Sequence, residues 1–240
     1  MTRAASLALL GLLALAPAAA RGSEADAFEN RVKPISGQLY QKAGRFELSP
    51  GAEISLNDAF FQKFLFGGKL TYHFTEWLSL SGSGAVGPSR ATGSTLVCPP
   101  NDACRPATEA QLAAVPGEIL MKAGGEIGFS PVYAKLNLLA EKAIHFDLSL
   151  LLGADWISYR EILPPPTSPG VAVDPGKVSA IGGHVGLGTR VFLSEWAALR
   201  VEVKDCVYRV DVAGNTRWQQ QLFVETGLSF FVPFHNRRGP

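Results

Sequence analysis

The chain has 240 residues, a formal net charge of +1 and 18% charged residues, fewer than the roughly 25% of an average soluble domain. That length fits one large domain. The near-zero charge gives no basic field for a polyanion, so no nucleic-acid partner is expected.

The first twenty residues read as a secretory signal peptide. Arg3 supplies a small positive region, Leu7 to Leu15 a short apolar run, Pro17 a break, and Ala18-Ala19-Ala20 a small-residue cleavage site. The run is too short and Ala-rich to be read as a membrane-spanning helix. No Cys lies near the cut, which argues against a lipoprotein. Residues 21–42 are polar and mixed in charge and read as a flexible periplasmic lead. The folded domain is expected over 43–233, with a short basic tail at 234–240.

After residue 20 there is no run of 18 apolar residues, which excludes helical spans. Period-two alternation recurs instead. It is plain over 64–74, where Phe64, Phe66, Leu70, Tyr72 and Phe74 oppose Leu65, Lys69, Thr71 and His73. It repeats over 144–159, from Trp196 to Val207, and from Gln221 to Val232. Four further segments, 44–56, 77–86, 119–129 and 179–193, alternate with Gly or Ser on the inward side. About eight such segments predict an all-β, antiparallel up-and-down transmembrane barrel in an outer membrane, with both termini periplasmic. A soluble sandwich also alternates, but here the polar face mixes charges of both signs with Gly and Ser, and the apolar face is broad and aromatic.

The connections follow the barrel rule of short periplasmic turns and longer outer loops. Thr75-Glu76 and Ser194-Glu195 are very short, whereas 87–118 and 160–178 are long. The segment from Asp211 to Arg217 reads as an intermediate loop. Ser130 to Lys142 breaks the rule, and its Val132 to Leu139 piece reads either as a small hairpin or as a displaced strand. Trp77 and Trp196 each follow a tight turn, where interfacial aromatics belong. Cys98 and Cys104, in a Pro-rich outer loop, read as a disulfide, and Cys206 as a free, inert thiol.

Alternation places Arg45, Lys69, Lys122, Arg190, Arg200 and Lys204 inside, with Glu47, Glu53, Glu126, Asp147, Asp155, Glu202 and Glu225. A barrel this narrow is filled by side chains, so these charges are expected to pair and plug it. A gated ion path is the alternative. His73, His145 and His184 also face inward and read as satisfied lumen residues, so no metal or cofactor is expected. Small outer-membrane barrels also include lipid-modifying enzymes, but no short motif marks a nucleophile.

The stretches Ala43-Gly44-Arg45-Phe46-Glu47-Leu48-Ser49-Pro50, Leu56-Asn57-Asp58-Ala59-Phe60 and Thr71-Tyr72-His73-Phe74-Thr75-Glu76-Trp77 resemble a family of outer-membrane β-barrel domain proteins of myxobacteria and their relatives. Pro131 to Lys135 and His145-Phe146-Asp147 also resemble it, with Ala134 standing where Gly is expected. The resemblance implies a structural or interaction role in the cell envelope, and for some members a place in gliding-motility machinery. A second resemblance lies at Glu225, Gly227, Phe230 and Val232, which are similar to the C-terminal signal read by barrel-assembly machinery, although the chain continues to Pro240. The partners so implied are outer-membrane lipid and lipopolysaccharide, that machinery during insertion, and other envelope-complex proteins. A small-solute channel and a lipid-modifying enzyme are the competing functions.

Overall fold

The computed structural model describes residues 40–100, 103–112, 115, 117–138, 142–162, 176–212 and 214–233. The expected signal peptide, the lead up to residue 39 and the tail from 234 lie outside the described residues.

Eight strands form the wall: β1 Phe46–Ser55, β2 Phe61–His73, β3 Leu78–Val86, β4 Ile119–Leu138, β5 Lys142–Arg160, β6 Lys177–Phe192, β7 Ala197–Val212 and β8 Asn215–Val232. Each pairs antiparallel with the next, and β1 pairs with both β2 and β8, so the sheet closes on itself. Closure leaves no unpaired edge. The expected up-and-down barrel is therefore the observed fold. No described helix is long and apolar enough to cross a membrane.

The side-chain period of two decides the wall's two faces. Leu48, Phe66, Leu70, Leu150, Leu187 and Leu228 are exposed, while Glu47, Lys69, Thr71, Asp147, Arg190 and Ser229 are buried. At these positions apolar side chains point outward and polar or charged ones inward, the reverse of a soluble sandwich.

The strand β4 resolves the segment that broke the loop rule. It runs on through Pro131 to Leu138, which pairs with Lys142, the first residue of β5. Phe129 sits opposite Leu150 but Val132 opposite Leu148, so β4 carries one extra residue there. This is a β-bulge. It shifts the phase by one: Phe129 is exposed, and beyond the bulge the exposed large apolar residues are Val132 and Leu136. Alternation read without the bulge loses the strand at Ser130. The connection to β5 is thus short, like the other turns at this end of the barrel.

The expected loop at Asp211 to Arg217 is also strand. Val212 pairs with Asn215, and Gly214 at φ +81° helps close a tight turn. A positive φ suits glycine, which has no Cβ to clash. Polar residues on both faces of this ribbon leave no alternation to mark it.

The long connection after β3 has its own order. Ser89–Ala91 pairs back onto β2, and Leu96–Val97 pairs with Arg105–Pro106. The expected disulfide joins Cys98 to Cys104 beside that small ladder.

Candidate functional site

The barrel's interior is the most chemically dense part of the molecule, and it is layered. At the end bearing the short turns, Tyr40 and Pro233, Phe192, Ala198 and Phe231 are buried, with Tyr133 packed against them. Tyr40 stacks on Phe192, centroids 5.2 Å apart and planes within 9°. Two residues on, Lys42 is buried and its Nζ donates to Asp147. The end of the expected flexible lead, residues 40–42, is therefore packed into the barrel mouth. Its aromatic ring and ammonium find partners there that sequence spacing cannot reveal.

Above this aromatic cap, Arg190 bridges two carboxylates, with Nε 3.1 Å from Glu47 Oε2 and Nη1 3.4 Å from Asp147 Oδ2. Glu47 also meets His73 Nε2 at 2.7 Å and accepts from the Ser49 and Ser229 hydroxyls at 3.1 and 2.5 Å. A buried carboxylate needs this many donors to offset its lost hydration.

The next layer is denser. Lys69 donates to Glu126 and, at 2.5 Å, to Glu202. Lys204 Nζ lies 2.7 Å from Glu225, 3.1 Å from Glu202 and 3.2 Å from Glu126. Arg200 pairs with Glu225 and lies 3.4 Å from Glu202. Lys122 pairs with Glu53, and its Nζ sits 4.4 Å from the centroid of the Phe223 ring. One detail of register matters here: Glu53 stands directly opposite Glu225 on β8, which stands directly opposite Glu202 on β7. Three carboxylates thus lie in a row across three strands, neutralised by cations from other rows.

Toward the long connections, the inward side chains become apolar. Leu65, Ile119, Ile157, Tyr159, Cys206, Tyr208, Val210 and Phe223 form one buried cluster. At its edge Lys63 pairs with Asp58 and donates to Gln221 at 2.7 Å.

Most inward charges predicted by alternation meet in this network. Arg45 lies at the mouth instead, its guanidinium donating to the carbonyls of Pro233 at 2.6 Å and Gln41 at 3.1 Å. The three inward histidines do not converge. His73 bonds Glu47, His145 lies 2.9 Å from the Tyr133 hydroxyl, and His184 lies between Asp155 at 2.6 Å and Glu126 at 3.1 Å. Trp77 and Trp196 face outward at the short-turn end, against Phe129 and Phe230. Of the residues resembling an assembly signal, Glu225 and Gly227 face in while Phe230 and Val232 face out on β8.

Sequence reasoning missed Lys42, the Lys63–Asp58 pair and the two apolar caps. Lys63 was within reach: it shares the phase of Leu65 and Lys69. Burial pushes the Lys42 ammonium below its ordinary value, and Asp147 pulls it back up. Lys42→Ala would remove one of the two cations on Asp147. It is expected to lower stability by about 1.5–3 kcal/mol, the range for hydrogen bonds to charged groups, read as a lower urea midpoint.

No family model matches this chain, and no curated protein does either. Among solved structures, the N-terminal β-barrel domain of Pseudomonas aeruginosa OprF is similar at 10% identity, TM-score 0.48, over 80% of this chain and 99% of that one. The outer membrane protein OprG from Pseudomonas aeruginosa is similar at 11% identity, TM-score 0.43, over 80% of this chain and 97% of that one. Outer membrane protein AlkL, studied by solid-state NMR in DMPC lipid bilayers, is similar at 11% identity, TM-score 0.35, over 88% of this chain and 99% of that one.

Proposed function

We propose that this chain is a sealed barrel of a Gram-negative outer membrane, acting as a structural or docking subunit of the cell envelope. The carrying observation is the lumen: ion pairs fill it between an aromatic cap and an apolar cap. A void of ≈20 Å³ beside Glu53 and Lys122 has room for about one water. The outward band of Leu, Val and Phe supports the membrane placement, since hydrocarbon needs an apolar outer face and fully paired backbone. Trp77 and Trp196 suit the interface with the headgroups, where lipopolysaccharide and lipid would be met.

The connection at 87–118 is the contact surface of this reading, because loops fixed on a rigid scaffold commonly carry binding. The myxobacterial resemblance extends the reading to a subunit of a surface or gliding-motility machine.

In planar bilayers the purified barrel is expected to show no conductance steps. Steady ion-selective openings of the wild-type chain would overturn the sealed lumen and favour the small-solute channel. A photo-crosslinker at exposed Leu96 is expected to capture an envelope protein in cells; capture of lipid alone would overturn the docking role.

A further inference from the structure

Three side chains on adjacent strands converge where the ionic layer meets the apolar cap: Asp155 on β5, His184 on β6 and Cys206 on β7. All are buried, and one ligand atom from each lies within 4.8 Å of the other two. The register builds the cluster. His184 stands directly opposite Cys206 on one side and Gly153 on the other, two residues from Asp155. Asp155 Oδ2 lies 2.6 Å from His184 Nδ1 and 3.6 Å from Cys206 Sγ.

Two glycines clear the space. A Cβ at Gly124 would fall 2.1 Å from Asp155 Oδ1, and a Cβ at Gly153 would fall 2.6 Å from His184 Cε1. The far nitrogen of the ring is also fixed, with Nε2 3.1 Å from Glu126 Oε2. A ligating histidine characteristically gives its other N–H to such a carboxylate, which sets the tautomer and aims the first nitrogen.

We propose that Asp155, His184 and Cys206 form a site for a borderline-soft divalent cation such as zinc, with Glu126 orienting the His184 ring from behind. Thiolate, imidazole and carboxylate together are a zinc donor set, three protein ligands with a fourth position for water. Bonds of about 2.0–2.1 Å place tetrahedral nitrogen and oxygen ligands roughly 3.3 Å apart. Nδ1 and Oδ2 must therefore separate by under about 1 Å, which rotation of the Asp155 carboxylate supplies.

Charge balance favours the exchange in a water-poor lumen. Both ring nitrogens of His184 face carboxylate oxygens, so the ring donates to both only as the imidazolium. The ion displaces the Nδ1 proton and the Cys206 thiol proton. Two protons leave as one dication enters, and the net charge inside the barrel is unchanged. The neighbouring ammonium groups of Lys122 and Lys204 are already neutralised, by Glu53 and by Glu202 and Glu225.

The test uses the full chain with cobalt(II) as the probe, added to the folded barrel in detergent and, separately, during refolding. Binding of one cobalt per chain with a near-ultraviolet sulfur-to-cobalt charge-transfer band is expected in at least one arm. The band reports Cys206, because Cys98 and Cys104 are joined to each other. Zinc should bleach it. Cys206→Ser should abolish it while leaving the β-sheet circular dichroism intact, and Glu126→Gln should weaken binding about 10–100-fold. The absence of the band from the wild-type chain in both arms would overturn the site. So would cobalt uptake that Cys206→Ser leaves unchanged. The wild-type band decides the matter even if the serine variant does not fold.

Discussion

Replacing Glu53 with alanine is expected to destabilise the barrel by about 3–5 kcal/mol, the cost of leaving one member of a buried ion pair alone. Lys122 is its partner and is itself buried. Without Glu53 the ammonium keeps the Phe223 ring face at 4.4 Å, and a cation–π contact returns only about 0.5–2 kcal/mol. The double variant Glu53→Ala, Lys122→Met should recover much of the loss, because an apolar pair has no charge to desolvate. Urea unfolding of the four chains in lipid vesicles checks this as a double-mutant cycle. A loss under about 1 kcal/mol in Glu53→Ala would show that the pair is hydrated.

The second large effect is on the outer face. Leu187 on β6 is 63% exposed and stands between Leu150 on β5 and Val203 on β7, both outward. Leu187→Arg is expected to cost about 2–4 kcal/mol in a bilayer, the penalty for arginine on a lipid-facing midplane position. The same change on a water-facing wall would fall within about 0.5 kcal/mol of neutral. Unfolding midpoints in vesicles discriminate the two cases, and a neutral result would remove the membrane reading. Moving the charge to Trp77, at the short-turn end, should cost less if that end meets the headgroups as proposed.

These positions were legible in the sequence because strand geometry is strict. Once Phe64, Phe66 and Leu70 are placed outward, Lys69 and Thr71 must point in, and the same logic fixes Asp147, Arg190 and Arg200. What was not legible depends on departures from that period or on partners from elsewhere. One extra residue at Ser130–Pro131 reverses the phase of β4 and hides its last turnings. Asp211, Thr216 and Arg217 are strand residues beyond the apolar band, so they lack the contrast that marks a face. Lys42 enters the lumen from outside any strand. Pairing is also invisible: alternation tells that Glu126 is inside, but not that it serves Lys69, Lys204 and His184 together. The apolar caps escaped notice because inward Leu65, Ile157, Cys206 and Phe223 look like ordinary strand residues until their heights are known.

The row of carboxylates across β1, β8 and β7 bears on how the cylinder is completed. Glu53 and Glu225 are opposite residues on the first and last strands, and like charges directly opposite weaken a strand pair. A ribbon of β8 with β1 alone would therefore be self-repelling at mid-height. The cations that relieve it arrive on β2, β4 and β7, as Lys69, Lys122, Arg200 and Lys204. Arg200 and Lys204 come with β7, the hairpin partner of β8, and pair with Glu225, whereas the Lys122 that pairs with Glu53 comes from β4, further round the wall. A barrel closed without β4 would lack Lys122 and leave Glu53 at the seam without the ammonium it pairs with.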